Sequence, residues 1–240
     1  MLNWLPADWP APDFIRAGTT LRQGGVSQGV YASFNLAAHV GDEPALVSQN
    51  RAMLDVPAAP QWLEQVHSCN AVLLPHEAII PQADAAYTFE KNIVCSVMTA
   101  DCLPLLITDQ TGSCVAAIHA GWRGLYNGII EETVNKLPVK AESLLVWLGP
   151  AIGADSYEVG EEVYNAFTKD SRAAKLAFTA TSEKHWLFDI YQLAKQRLKG
   201  LGVRHVFGGD RCSYSEKEHF FSYRRDNVTG RMASMIWIEK

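Results

Sequence analysis

Two histidines and one cysteine are the residues of this 240-residue chain most able to do chemistry together. His67 follows Gln65-Val66, Cys102 ends Thr99-Ala100-Asp101-Cys102, and His119 opens His-Ala-Gly-Trp-Arg-Gly. They stand 35 and 17 positions apart, so only the fold can bring them together. Two imidazoles and a thiolate suit a borderline-soft ion, with zinc the default. Three protein ligands leave a fourth position free, which is the catalytic rather than the structural pattern. A zinc ion there would bring the pKa of a water to about 7. The plainer explanation is a buried thiol and two hydrogen-bonded core histidines. Spacing alone does not choose between them.

The elements that must position these residues centre on Met98 to Gly124. Leu103–Thr108 and Cys114–Ile118 are short, β-branched apolar runs, each suited to a buried strand. Asp109, Gln110, Thr111 and Gly112 form a turn between them. An antiparallel return brings Cys102 and His119 to one end of the sheet. Further strands are expected at 14–21, 62–67, 93–99, 144–148, 203–207, 220–224 and 232–238. Asp42 is placed as the N-cap of a helix with Glu43 and Pro44 in its first turn, reaching about Leu54. After His119 a helix puts Leu125, Ile129, Ile130, Thr133 and Leu137 on one face. Helices are also expected at 161–167 and 190–201. Strands and helices mix without a strict βαβ rhythm, so the fold class is α+β with mixed sheets and helices outside.

Composition excludes several classes. Hydrophobic residues make up 48% and charged residues 20%, as in an ordinary globular protein. The net charge of −5 offers no basic field for nucleic acid. The five cysteines, Cys69, Cys95, Cys102, Cys114 and Cys212, form no C-x-x-C pair, so neither a disulfide framework nor a zinc ribbon is indicated. The opening MLNWLPADWPAP does not read as a signal peptide, and no stretch reads as a membrane span. A cytoplasmic location is the simplest expectation.

Several motifs carry a resemblance. QVH at 65–67, TADC at 99–102, HAGWRG at 119–124, GPAIG at 149–153 and GGDRCSYSEKEHFFSYRRDNVTGRMAS at 208–234 resemble the YfiH/YlmD family. GGVS at 24–27 and SFNL at 33–36 extend the likeness over nearly the whole chain, with no departure at the motif positions. This family is also labelled a laccase-domain or polyphenol-oxidase family, and lately purine nucleoside phosphorylase. The resemblance implies a four-layer α/β/β/α fold in a single domain over residues 1–240, shared with the catalytic domain of cytotoxic necrotising factor toxins. It implies zinc ligands at His67, Cys102 and His119. It also implies phosphorolysis of adenosine, inosine and methylthioadenosine, and adenosine deamination. Copper-dependent phenol oxidation and peptidoglycan editing are attached to the family as well.

These chemistries ask for particular partners. Deamination needs an activated water and a proton shuttle, for which Asp101 or Glu64 is available; Asp101 serves equally well as a cap at the strand end. Phosphorolysis needs a donor-rich cationic cradle. Arg123, Arg51, Arg224 and Arg225 are candidates, with Ser27 and the backbone of Gly24 and Gly25. Each arginine alone also fits a surface salt bridge. Arg123 is favoured because it follows His119 closely and opens a helix. Asn35 and His39 are candidates for touching substrate, although Asn35 also suits a turn. Trp122 could stack on a purine or simply pack, and Tyr157 and Glu158 follow the GPAIG turn without a settled role. The expected ligands are a nucleoside and phosphate, with neither nucleic acid nor membrane as partner and the oligomeric state open.

Three rival functions stay open. Cys102 as nucleophile with His119 as base would make a thiol hydrolase for a peptidoglycan-precursor amide. Copper would occupy an N/S site readily in vitro and mimic an oxidase, although no His-X-His pair is present. A closed four-ligand zinc site would make a non-enzymatic binding module.

Overall fold

A computed structural model describes residues 3–169 and 171–239. The chain begins with β1 (Trp4–Pro6), β2 (Ile15–Thr20) and α1 (Pro44–Ala52). There follow β3 (Ala71–Leu73), β4 (Ala85–Thr88), β5 (Cys95–Thr99), β6 (Leu103–Asp109) and β7 (Val115–Ala120). Helices α2 (Trp122–Asn127) and α3 (Ile129–Lys136) lead to β8 (Leu144–Leu148), β9 (Glu158–Gly160) and α4 (Glu161–Thr168). The chain closes with β10 (Phe178–Ser182), β11 (His185–Phe188), α5 (Ile190–Gly200), β12 (His205–Gly208), α6 (Tyr223–Asp226) and β13 (Met232–Ile238).

Three sheets result. The largest is mixed, in the order β12-β8-β6-β7-β4-β3, with β12–β8 and β3–β4 parallel and the other pairs antiparallel. A four-stranded antiparallel sheet runs β1-β2-β13-β5, and a small antiparallel one runs β10-β11-β9. This is the mixed α and β architecture that the sequence predicts.

Strand β6 explains how the large sheet is held. Leu103, Leu105 and Ile107 point into a core shared with Leu125, Ile129, Ile130, Leu193 and Leu198 of the helices. Leu106, on the opposite face, packs with Ile15, Cys95, Val97 and Ile236 of the four-stranded sheet. Both faces are therefore covered, which is why the run is continuously apolar rather than alternating. The far side of the four-stranded sheet carries its own cluster, Met235 and Trp237 against Phe34, Leu36 and Leu54.

The hairpin of β6 and β7 forms as expected, with Leu103 opposite Ala120 and Pro104 opposite His119. Its turn is held by the Asp109 carboxylate, which accepts from the Thr111 and Ser113 backbone N–H groups at 3.0 and 2.6 Å. Gly112 supplies the positive φ of +68°.

Four local expectations change. Residues 62–67 make no ladder strand; Glu64 forms one isolated bridge with Gln82. The N–H groups of Val66, His67 and Ser68 instead turn to the carboxylate of Asp84. Residues 220–224 are not a strand either. Ser222 Oγ accepts from Arg225 N at 3.2 Å and starts the short α6, while Phe220 and Phe221 are buried in a small cluster of their own. The helix after His119 breaks into α2 and α3 at Gly128, whose φ is +93°. Glu43, not Asp42, is the cap of α1, with Pro44 in its first turn. The carboxylate of Asp42 is drawn away by Ser27 Oγ at 2.7 Å and Asn35 Nδ2 at 2.9 Å. Among the described residues no helix is long and apolar enough to cross a membrane.

Leu106 is fully buried between the two sheets. Leu106→Ala is expected to lower stability by about 2–5 kcal/mol in denaturant unfolding. An unchanged midpoint would show that the two sheets do not share this core.

Candidate functional site

The site lies where β5, β6 and β7 give way to loops. His119 is the penultimate residue of β7, and Cys102 sits in the turn between β5 and β6. His67 comes from the irregular segment that the sequence predicts as a strand. Its backbone has φ of +60°, which is uncommon for a residue with a β-carbon. The donor atoms of His67, Cys102 and His119 all lie within 4.8 Å of one another. Cys102 Sγ is 3.8 Å from His67 Nε2, and the two imidazoles meet edge to face at 4.8 Å between centroids.

Asp84, which the sequence reading passes over, holds this arrangement. It is completely buried and accepts His119 Nδ1 at 2.8 Å. The same carboxylate accepts the N–H groups of His67 at 3.0 Å and Ser68 at 2.6 Å, and the Ser68 hydroxyl at 2.8 Å. Burial pushes the Asp84 pKa up, but His119 and Ser68 outweigh it and hold the carboxyl below its ordinary value. With Nδ1 committed to Asp84, Nε2 of His119 is the nitrogen left to face Cys102 and His67. A local signal existed in the polar Asp84 set among Ala83, Ala85 and Ala86, but nothing in the sequence says whom it faces.

The electrostatics are mutual. Burial disfavours the Cys102 thiolate, but His119 and His67 overcome this and bring its pKa down to about 6. Burial likewise disfavours the His119 imidazolium, while Cys102 and Asp84 raise its pKa to about 9. A thiolate beside two ring nitrogens is the donor chemistry of a zinc site. Tetrahedral bonds of about 2.0–2.3 Å put ligand atoms roughly 3.3–3.6 Å apart, so these donors, 3.8 Å apart for Cys102 and His67 and all within 4.8 Å, would hold such an ion after drawing in by up to about 1 Å. Gly121 leaves the necessary room. A β-carbon there would lie 2.7 Å from His67 Cδ2 and 3.1 Å from Cys102 Sγ.

The three donors open onto a cavity of about 340 Å³, within the range of small-molecule sites. Met98, Ile152, Tyr157 and Tyr223 give it apolar and aromatic walls; Gln65, Asp101, His39, Arg224 and Arg231 give it polar ones. Gln65 fastens the loop of His67 to β5, donating to the Met98 carbonyl at 2.8 Å and accepting from Met98 N at 2.7 Å. Asp101 has φ of +93°, and its carboxylate accepts Ser213 Oγ and Arg224 N, each at 2.6 Å.

The other sequence-selected residues are placed differently. Ser27, Asn35, Arg51, Arg123 and Arg225 are not among the residues lining the cavity. Ser27 and Asn35 are buried and bond Asp42, and Asn35 Oδ1 also accepts Arg231 N at 2.9 Å. Arg51 donates to the Leu36 carbonyl at 2.9 Å and lies over Trp62. Arg225 pairs with Asp226 and with the carbonyls of Ser213, Tyr214 and Phe220. Arg123 is exposed and stacks on Trp122, which packs against the helix core. Glu64 is exposed and near Gln82, away from the cavity wall. Arg231 and Tyr223 are cavity residues that the sequence reading did not single out; both lie inside the C-terminal motif, where composition alone could not rank them.

The fold and site thus define a mixed α/β protein with a three-donor, metal-type centre at a cavity. Residues 16–239 match the family described as multi-copper polyphenol oxidoreductase laccase. The chain belongs to this family, the same YfiH/YlmD family that its motifs resemble. It is 51% identical to the purine nucleoside phosphorylase YfiH of Shigella flexneri, over 99% of this chain and 100% of that protein. A purine nucleoside phosphorylase of Haemophilus influenzae is 49% identical over 97% and 98% of the two chains. The crystal structure of Neisseria meningitidis protein NMB0706 superposes with a TM-score of 0.94 at 44% identity, covering 99% of this chain and 100% of that one. YlmD of Geobacillus stearothermophilus gives 0.92 at 28% identity, covering 99% and 97%.

Two outcomes follow from this geometry. Asp84→Asn and Gly121→Ala are each expected to weaken zinc binding about 10–100-fold in a competition titration against a chromophoric chelator. Full affinity in both would remove Asp84 and the Gly121 clearance from the account of the site. In metal-free protein, alkylation of Cys102 is expected to be slow below pH 6 and to rise to a plateau above it, because the depressed thiol ionises there. Zinc should suppress it, as read by mass spectrometry of the Cys102 peptide.

Proposed function

We propose that this protein is a zinc-dependent purine nucleoside phosphorylase acting on adenosine, inosine and methylthioadenosine, with adenosine deamination as a second activity. The observation that carries the reading is the convergence of His67, Cys102 and His119 on the wall of a cavity large enough for a small ligand. The names of the close relatives give the reaction class. The flat walls from Tyr157 and Tyr223 suit a purine, and Met98 and Ile152 exclude water around it.

His67, Cys102 and His119 would hold the zinc, which when bound supplies a Lewis acid for the water or purine involved. Asp84 keeps the His119 ring turned with Nε2 inward. Asp101 borders the reacting space, but its carboxylate already accepts two donors, which favours holding the wall over moving a proton. Free thiols in all five cysteines suit a reducing compartment such as the cytoplasm.

One other reading has an observation of its own. A Cys102 thiolate beside a readily protonated His119 is also the arrangement of a thiol nucleophile and its base. The two differ in their need for metal. Purified protein of measured metal content is incubated with adenosine, with and without phosphate. Adenine and ribose 1-phosphate are expected only with phosphate, and inosine in both cases. Chelation and Cys102→Ala should abolish all three products, and copper loading should not restore them. If zinc-loaded protein yields no adenine in phosphate, the phosphorylase reading fails. If these products survive chelation but not Cys102→Ala, zinc is not required and Cys102 acts as a thiol in its own right.

A further inference from the structure

The wall of the cavity carries a second feature that the metal centre does not use. Arg231 is partly buried on that wall, yet no carboxylate pairs with it among the described residues. Its Nη1 donates to the carbonyls of Thr229 and Gly230, at 2.9 and 3.0 Å. Its Nε and Nη2 make no hydrogen bond within the described protein, and neither is a sealed, unpartnered atom. The side chain that carries them is a lining residue of the cavity. Arg224 also lines the cavity, and among the described residues its side chain bonds the Glu158 carbonyl, at 2.9 Å, and lies over the face of Tyr157.

The anions nearby are already committed. The carboxylate of Asp101 accepts Ser213 Oγ and Arg224 N. The charge of Cys102 belongs to the donor set with His67 and His119. The field of the wall is felt at His39, whose pKa is lowered by burial and by Arg231 and Arg51. Burial disfavours the Arg231 charge while Cys102 and Asp101 favour it without pairing with it, and a guanidinium taken partly out of water is better held when an anion joins it directly. Its planar fork fits an oxyanion through two parallel N–H bonds.

The chain goes to some length to hold this cation in place. Asn35 Oδ1 accepts Arg231 N at 2.9 Å, and Leu36 N donates to the Arg231 carbonyl at 3.3 Å. Behind them Asn50 donates to the Asn35 carbonyl at 2.8 Å. Ser27, Asn35 and Asn50, off the cavity wall themselves, thus brace the strand end that carries Arg231.

We propose that Arg231 and Arg224, with His39 beside them, form the oxyanion subsite of this cavity and that its ligand is inorganic phosphate. The inference rests on the phosphorylase reading for its biological meaning, but phosphate binding tests it separately. Phosphate affinity is measured on zinc-loaded protein without nucleoside, by titration calorimetry and by ³¹P NMR line broadening. The half-saturating phosphate concentration for adenine release is measured alongside.

Arg231→Gln and Arg224→Gln are each expected to weaken phosphate about 10–100-fold, the worth of a charge-assisted bond. Arg231→Lys should recover part of it, since charge returns without the fork. Zinc stoichiometry reports that each variant is folded. Unchanged phosphate affinity in both glutamine variants would overturn the subsite, and so would a loss seen only where zinc is also lost. Adenosine 5′-monophosphate serves as the comparison ligand. If it displaces phosphate and binds more tightly through Arg231, the subsite belongs to a nucleotide and inorganic phosphate is the wrong assignment. Phosphate binding that needs Arg231, in a protein that releases no adenine, would sustain the subsite while the phosphorylase reading fails. Phosphate-dependent adenine release with an Arg231-independent half-saturation would do the reverse.

Discussion

A carboxylate with no access to water has to find donors, and the candidate site exists because Asp84 finds them in two places at once. Its oxygens accept the imidazole of His119 from β7 and a run of backbone N–H groups from residues 66–68. Left unpaired, such a buried charge would be far too costly to keep. Satisfied this way, it becomes a rigid tie between a strand and a loop. The tie sets the direction of one imidazole and draws the segment bearing the other across to meet it. The third donor, Cys102, needs no such tie, because the β6–β7 pairing already brings it beside His119.

The rest of the cavity is fastened by the same device. Asp101 sits at the β5–β6 turn and takes donors from Ser213 and Arg224, while its carbonyl accepts Ile152 N at 2.9 Å. One residue thereby gathers the turn after β8, the loop after β12 and the start of α6. On the remaining side, Asp42 and Asn50 knit the glycine-rich loop to the segment around Asn35. A cavity whose walls come from so many distant stretches needs such junctions. Apolar packing is non-directional and would leave the loops free to slide. Charge-assisted hydrogen bonds are short and directional, so they fix register.

Much of the frame was readable beforehand. The apolar runs of β6, β7, β8 and β13 are signals carried by neighbouring residues, and so is the turn between β6 and β7. Two of the misread strands have one cause in common. Residues 62–67 and 220–224 have strand-like composition, yet backbone N–H groups of Val66, His67 and Arg224 are claimed by Asp84 and Asp101. A side chain from elsewhere outbid the sheet for these N–H groups, and local pattern contains no trace of it. Asp42 failed as a helix cap for the same reason: Ser27 and Asn35 hold its carboxylate.

By itself, then, the sequence determined which chemistry is available: two imidazoles and a thiol at the ends of short apolar runs, several arginines as candidate anion partners, and a hairpin able to align two of the three donors. These follow from residue type and from interactions spanning a few positions. Only the tertiary structure decided that His67 joins the pair, that Asp84 orients it, and that Arg224 and Arg231 face the cavity while Arg51, Arg123 and Arg225 do not. Those outcomes depend on where buried charges and backbone donors meet across separations that run from 17 residues for Asp84 and His67 to 196 for Asn35 and Arg231, and such meetings are set by the packing of whole sheets.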